Sequence, residues 1–371
     1  MRIGIDAKWY FKGPPSGVNV VRNIVDTLID INEIHHLVIF LNSNSKGDKE
    51  DFIIKNKGNN KISIVFIPGK FNFITNLFIF PFYSYKLNLD IILFQNYVPY
   101  FRLGKTKYFN FVHDFLFLDY PIFFSKIEKY IYQFIVSSVL RAHHIITISN
   151  SEKKRILIHT NIDNTKVSVV HHGIDDQFYK RSSYLILNIK EKYNLPSRFI
   201  LYVGRINIRK NISSLLISFS KLKIDRDISL VIVGKDENCG FDYPKLIKEL
   251  NIEKRVCKIG HVSDEDLGCI FSAAEIFVSP SFAEGFGLPP LEAMKSGIPA
   301  IVSRIAPHIE VCGDSSLYFN PLNIVELESK ISRLLIDKNL YNKLKQKGLK
   351  RSNQFTWKIS AKNLLNVIEN N

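Results

Sequence analysis

AEIFVSPSFAEGFGLPPLEAMKSGIPAIVS, residues 274–303, reads as one strand–loop–helix–strand unit. Ile276–Val278 is a short β-branched and aromatic run, and Ala300–Ser303 is another. Between them lies a Gly-rich loop, then Pro289-Pro290 opening a helix that Gly297 ends. Proline at the start and glycine just past the end are the expected helix boundaries. Successive strands joined through a helix run parallel, and parallel sheets are covered on both faces, so their strands are near-continuously apolar.

The same alternation extends in both directions. Phe199–Val203, Leu230–Val233, Val256–Ile259 and Leu317–Phe319 complete one set of strands with the two above. An earlier set comprises Arg2–Asp6, His36–Leu41, Ile62–Ile67, Leu89–Phe94, Tyr108–His113, His144–Ser149 and Val167–Val170. Val18, Val21, Ile24, Val25 and Leu28 form an apolar stripe at helical spacing; Ile212, Leu215, Leu216, Phe219 and Leu222 form another. Ile122–Leu140 reads as a longer helix. The expected class is therefore α/β with two doubly wound, Rossmann-like domains, residues 1–180 and 181–354. The polar, turn-rich stretch 176–198 separates them, and an amphipathic helix occupies 355–371.

Composition narrows the function. The chain has 371 residues, 46% hydrophobic and 23% charged, enough apolar content for packed cores. No uninterrupted apolar run reaches 18 residues, which argues against a spanning helix, and MRIGIDAKWY reads as a strand rather than a signal peptide. Cys239, Cys257, Cys269 and Cys312 include no C-x-x-C pair, which fits a reducing cytoplasm better than a disulfide or zinc scaffold. The net charge of +15 is spread evenly, so it marks no basic tail. A nucleic acid, an anionic membrane, a phosphorylated substrate or simply a solvated surface would each account for it.

In open α/β sheets ligands bind beyond the C-terminal strand ends. The strand at 199–203 ends in Gly204-Arg205, and INIRKN then carries Arg209 and Lys210 to a helix N-terminus. Cations beside a helix N-terminus suit a phosphate; an ordinary solvated basic loop has the same composition. After the strand at 276–278 come Glu284, Gly285, Phe286, Gly287 and Leu288, with Glu292 in the following helix. The glycines let backbone N–H groups approach a ligand, and a carboxylate can accept two hydroxyls of a sugar diol. Glu292 could equally compensate the helix dipole. Pro290 stands where a dinucleotide fingerprint needs its third glycine, so this is not that motif.

VGRINIRKN, KIGHVSDEDL, SPSFAEGFGLPPLEAMKSGIPAIVS and SLYFNP occur in this order. They resemble the retaining glycosyltransferases of family four, which have the GT-B fold. SGVNVVRNIVDTL, FVHDF, ITISNSE and VVHHGID in the first half are similar to the same family more weakly. The pattern looks closest to a bacterial mannosyltransferase-like branch that builds surface polysaccharide such as O-antigen.

The resemblance implies two domains facing across a cleft, with the last helix crossing back to the first. Arg205 and Lys210 would hold the donor diphosphate, Glu284 the hydroxyls of the transferred sugar, and Glu292 the ribose diol. Gly204, Gly285, Phe286, Gly287 and Leu288 would line the donor. Val262, in the loop after Gly260, would border the base. His113 would sit over the donor sugar, and Gly17, in the loop before the first helix, would let the first domain approach it.

The implied substrates are a GDP- or UDP-linked sugar and a lipid-linked oligosaccharide, reached from the cytoplasm at the inner membrane face. Phe71, Phe73, Phe78, Phe80 and Phe82, followed by Arg102, Lys105 and Lys107, would supply a peripheral anionic-membrane contact, although buried packing explains those aromatics equally well. No cofactor or metal is expected. Asp225-x-Asp227 precedes a strand, and Ser263-x-x-Asp266 reads as a helix cap rather than part of a metal pair. His143-His144 and His171-His172 read as structural. A GT-B epimerase would carry the same donor site, whereas a nucleic-acid-binding protein would need an aromatic-basic sheet face or helix module that is absent.

Overall fold

The computed structural model describes residues 1–42, 46–67, 75–223, 227–237 and 242–371. It divides into two compact units, Met1–Gly173 with Trp357–Asn371, and Ile174–Thr356. The first unit holds seven parallel strands: β1 Arg2–Ala7, β2 His36–Leu41, β3 Ile62–Phe66, β4 Ile91–Gln95, β5 Lys107–Val112, β6 His144–Thr147 and β7 Val167–Val169. Their order is β3-β2-β1-β4-β5-β6-β7. The second holds six: β8 Phe199–Val203, β9 Ser229–Val233, β10 Val256–Gly260, β11 Ile276–Ser279, β12 Ala300–Ser303 and β13 Ser316–Phe319. Their order is β10-β9-β8-β11-β12-β13.

Both sheets follow from the apolar runs. Every residue of β4 and β12 is buried, as central parallel strands require. In each sheet the chain builds outward in one direction, then returns to the first strand and builds in the other. The reversal falls between β1 and β4, and between β8 and β11. Such switch points leave a crevice at the C-terminal strand ends, where ligands are held.

Some boundaries differ from the sequence reading. Ile174 N–H donates to Phe355 O at 3.0 Å, and Ile174 bridges Thr356. Phe178 packs edge-on against Phe271, and Lys180 Nζ reaches Ser272 O at 2.8 Å. Residues 174–180 are therefore packed into the second unit, not the first. The helix Trp357–Glu369 belongs to the first unit and packs on the helix Pro15–Ile31. There Glu369 Oε1 stands 2.7 Å from His35 Nε2.

The single helix expected over Ile122–Leu140 is a 3-10 turn, Pro121–Phe123, followed by a helix Lys126–Arg141. Ser125 and Glu128 form a reciprocal capping box, which restarts the helix after the turn. Gly17 lies in the first turn of Pro15–Ile31, not before it, because the helix already begins at Pro15.

Candidate active site

The β8/β11 switch point gathers most of the residues singled out in the second unit. The chain leaves β8 through Gly204. At Gly234, just past β9, a Cβ would lie 1.9 Å from Gly204 O. Backbone thus presses on backbone, and the two post-strand loops run side by side, Ile206 N–H donating to Lys235 O at 2.9 Å. Asn207 then caps a 3-10 turn, Ile208–Lys210, accepting from Lys210 N–H at 3.1 Å. Asn211 adopts a left-handed conformation at φ 53°. Its side chain ties the turn to Pro280 O and Pro321 O, both at 3.0 Å. This anchoring fixes where Arg209 and Lys210 project.

Their partner is Glu284. Lys210 Nζ lies 2.6 Å from Glu284 Oε1, which also accepts from Ser281 Oγ at 2.7 Å. Arg209 Nη1 donates to Ala283 O at 2.8 Å and meets Glu284 Oε2 at 3.3 Å. All three charged groups are largely buried. Burial alone would raise the Glu284 carboxyl, but Lys210 and Arg209 overcome it and hold the group well below the usual carboxylate range. Burial lowers the Lys210 ammonium, although Glu284 opposes that shift. Arg205 is more exposed and pairs with Glu237 at 2.7 Å; Asn207 Nδ2 holds the other Glu237 oxygen at 2.8 Å. Three cations against two carboxylates leave one positive charge, which suits a phosphorylated ligand.

Gly287, at φ 113°, precedes the helix Leu288–Lys295. A Cβ there would meet His308 Cδ2 at 3.1 Å, so the loop Gly285–Leu288 passes directly over that histidine. His308 is fully buried, its Nδ1 3.0 Å from Ser303 O. Glu292, one turn into the helix, shares none of the Glu284 bonds. Its carboxyl has no hydrogen-bond partner among the described residues. Burial, reinforced by Asp175 and Asp264, pushes it up to about 8. Val262 is buried in the loop after β10, following Gly260 at φ 67°.

Glu237, Asn207, Ser281 and His308 were not legible as site residues. Glu237 and His308 each follow a strand of this sheet, a position the strand-end rule could have flagged. Among the described residues no group of three or more His, Cys, Asp or Glu side chains could hold a metal. Asp225 lies outside the described residues. Ser263 Oγ accepts from Asp266 N–H at 3.2 Å, and the Asp266 carboxylate is engaged by Lys192 and Tyr193, each at 2.8 Å.

His113 lies in the first unit at the end of β5. Its Nε2 is 2.8 Å from Gln95 Oε1, and its ring lies 5.7 Å from that of Trp9 and 6.1 Å from that of His172. Burial pushes it down to about 4, so it is neutral at physiological pH. His144 bonds Ser168 Oγ at 2.8 Å, while His172 packs between Phe111 and Trp357, both within the core of this unit.

Comparisons with known proteins agree with this architecture. Residues 186–351 match the family model for glycosyl transferases group 1, and residues 17–178 match that for Glycosyltransferase Family 4. The serotype-specific mannosyltransferase WbdA of Escherichia coli is 30% identical over 227 residues, covering 60% of this chain and 28% of WbdA; the match thus spans under a third of that relative. O-antigen chain mannosyltransferase B of Escherichia coli is 28% identical over 262 residues, covering 69% and 68% of the two chains. O-antigen chain mannosyltransferase RfbU of Salmonella typhimurium is 33% identical over 233 residues, covering 60% and 62%.

Anabaena Alr3699/HepE, solved with UDP-glucose, superposes with a TM-score of 0.75 at 15% identity, over 100% of this chain and 99% of that one. The glycosyltransferase WaaG of lipopolysaccharide biosynthesis does so with a TM-score of 0.69 at 13% identity, over 99% of each. These likenesses show the fold, GT-B. Two family models spanning most of the chain, on two doubly wound sheets, make it a member of the family 4 glycosyltransferases.

Proposed function

We propose that the chain transfers a hexose, with mannose favoured, from a GDP- or UDP-linked sugar to a hydroxyl of a lipid-linked surface polysaccharide such as O-antigen, with retention at the anomeric carbon. The observation that carries this reading is the buried Lys210–Glu284–Arg209 cluster at the β8/β11 switch point. Mannose is favoured because O-antigen mannosyltransferases are among the relatives.

In the reaction, the bond from the sugar C1 to the phosphate oxygen breaks and a bond from C1 to the acceptor oxygen forms on the same face. The acceptor proton passes to the departing phosphate. Charge builds on that phosphate, so Arg205 and Lys210 lower the barrier by being in place beforehand. Glu284, held ionised, accepts hydrogen bonds from hydroxyls of the transferred sugar. Gly204 and the backbone of Gly285, Phe286, Gly287 and Leu288 surround the sugar and diphosphate. Glu292 takes the ribose diol and Val262 borders the base. No step uses a cofactor or metal.

A lipid-linked acceptor requires contact with a membrane surface. No helix among the described residues is long and apolar enough to cross one. The support for peripheral contact is an exposed aromatic face on the first unit, carrying Phe78, Phe82 and Tyr85 beside Lys105 and Lys107.

The test is a thermal-shift screen against nucleotide sugars, followed by detection of released nucleoside diphosphate. A donor at 100 times its Kd should stabilise by about 2.7 kcal/mol. Nucleoside diphosphate should appear only when acceptor is present. No stabilisation by any nucleotide sugar would overturn the reading, and an altered nucleotide sugar formed without acceptor would indicate an epimerase instead.

A further inference from the structure

At the opposite edge of the first unit's sheet from its switch-point crevice, the N-terminal ends of β4 and β5 border a cavity of about 800 Å³. Tyr85, Leu89, Leu103 and Ile368 give it an apolar wall, and the exposed Lys105 and Lys107 complete one side. The loop carrying both lysines is fastened in place. Thr106 Oγ1 donates to Leu89 O at 2.8 Å. Gly104 turns the chain at φ 78°, and a Cβ there would lie 3.2 Å from Tyr85 Cδ2. The missing side chain lets the loop close against the Tyr85 ring.

Two acids and two lysines line the cavity, but they are not equally engaged. Asp90 Oδ2 accepts from Arg2 N–H at 2.7 Å, and Glu369 Oε1 stands 2.7 Å from His35 Nε2. Lys107 Nζ donates to Asn371 O at 2.6 Å, which leaves two of its three hydrogens for a ligand. Neither lysine pairs with an Asp or Glu side chain among the described residues. Further cations lie beside them. Arg102 Nη1 is 3.2 Å from His143 Nδ1, and burial, then Arg102, Lys107 and Lys166, pushes that imidazole down. Three cations thus act on one point next to the cavity, and an anion gains by entering.

Size and lining identify the ligand class. A water occupies about 30 Å³, so an inorganic phosphate would leave most of the volume and the whole apolar wall uncovered. A phosphate ester carrying an apolar chain covers both. Tyr85 lines the cavity and also belongs to the exposed aromatic face with Phe78 and Phe82, so the cavity opens where that face would meet a bilayer. We propose that it binds one anionic phospholipid, the phosphate held by Lys105 and Lys107 and the glycerol end of the chains packed against Tyr85, Leu89 and Leu103. This rests on the proposed membrane contact, which it converts from a general attraction into a site of fixed stoichiometry. It lies at the other strand ends from the reacting crevice, so neither nucleotide sugar nor acceptor is needed to test it.

Dihexanoyl phosphatidylglycerol is titrated calorimetrically into the full chain, below the concentration at which it forms micelles. One molecule should bind per chain. Dihexanoyl phosphatidylcholine has the same chains without net charge, and glycerol 3-phosphate has the phosphate without chains. Each should bind roughly tenfold more weakly or worse, since one forfeits the cations and the other the apolar wall. Lys105→Ala with Lys107→Ala should weaken phosphatidylglycerol binding by a similar factor, and so should Leu103→Asp, which sets a carboxylate in the apolar wall. All three positions are exposed, and unchanged thermal melts establish that the variants fold. Phe82→Ser, outside the cavity, should leave monomer binding unchanged while weakening sedimentation with vesicles. No saturable binding of the monomer, or binding that survives every substitution in the cavity, overturns the inference. Equal binding of phosphatidylcholine also overturns it, as does equal binding of glycerol 3-phosphate, which would mark a site for a free phosphate ester. Sedimentation with vesicles without monomer binding would keep the membrane contact and overturn the cavity.

Discussion

Lys210 Nζ and Glu284 Oε1 are 2.6 Å apart, so the cation read as a phosphate ligand and the carboxylate read as a sugar ligand form one ion pair. Each sets the other's state. Without Lys210 and Arg209, burial would drive Glu284 toward its neutral form, in which one oxygen carries a proton and fewer lone pairs remain to accept hydrogen bonds from hydroxyls.

Lys210→Ala should therefore damage both chemistry and stability. Loss of one preorganised charge donor costs about 100- to 1,000-fold in turnover. Stranding a buried charge costs about 3–5 kcal/mol, and here less, because Arg209 and Ser281 still reach Glu284. Lys210→Arg should restore turnover only in part, since a planar guanidinium does not replace a compact ammonium. Nucleoside diphosphate release and denaturant melts measure the two effects. The pair also has an acid signature. Glu284 is held below its ordinary value of 4.5, so its contribution is full above that pH and fades as pH falls below it. Glu284→Gln should flatten this part of the stability profile. Folded Lys210→Ala protein with near-normal turnover would refute the site.

Glu292 should behave in the opposite sense. Its carboxyl is raised from 4.5 to about 8, so between these values the native protein keeps a proton that the unfolded chain has lost. Stability attributable to this group is full below pH 4.5, declines as pH rises toward 8, and is then level. Glu292→Gln should remove that decline. If the ionised carboxylate holds the ribose diol, nucleotide affinity should increase as pH rises through about 8 in the native sequence and stay flat in Glu292→Gln. Calorimetric titration across pH 6–9 reads this directly.

Both sheets were legible because parallel strands buried on both faces leave continuous apolar runs, such as Ile91–Phe94 and Ala300–Val302. The Arg205–Lys210 and Glu284–Glu292 loops were legible because they follow strand ends. The pairing of Arg205 with Glu237 was not: it depends on β9 lying beside β8, and only the folded sheet reveals that neighbour. Residues 174–180 resemble a linker in their polarity, yet Ile174 and Phe178 are buried anchors of the second unit.

Transfer should persist in excess chelator. Asp266 is committed to Lys192, Tyr193 and its own helix cap, so Asp264-x-Asp266 offers one uncommitted carboxylate rather than a pair. In the proposed donor site Arg205 and Lys210 would neutralise the diphosphate instead. Loss of activity in chelator, restored by manganese or magnesium, would point back to these aspartates or to Asp225 and Asp227.

Membrane contact should depend on the aromatic face of the first unit. Phe71 and Phe73 lie outside the described residues, and Phe80 is fully buried in the core, so Phe80 belongs to the packing of this unit rather than to its surface. Phe78, Phe82 and Tyr85, however, are 57%, 53% and 62% exposed. Their spacing of four and three residues places them on one helical face. Phe101, itself exposed, meets Phe78 at 6.1 Å between ring centroids, and Lys86 lies 5.9 Å from the centre of the Phe82 ring. Arg102, Lys105 and Lys107 are exposed in the loop leading to β5 and its first residue. Aromatic rings favour the bilayer interface, and each cation near an anionic surface contributes about 1 kcal/mol. The chain should therefore sediment with vesicles containing anionic lipid, less so at high salt as screening shortens the reach of the charges. Lys105→Glu with Lys107→Glu should weaken binding mainly at low salt. Phe82→Ser should weaken it at both salt concentrations, because it removes apolar insertion rather than attraction. Failure to bind anionic vesicles even at low salt would exclude this face as a membrane contact and point to a soluble acceptor.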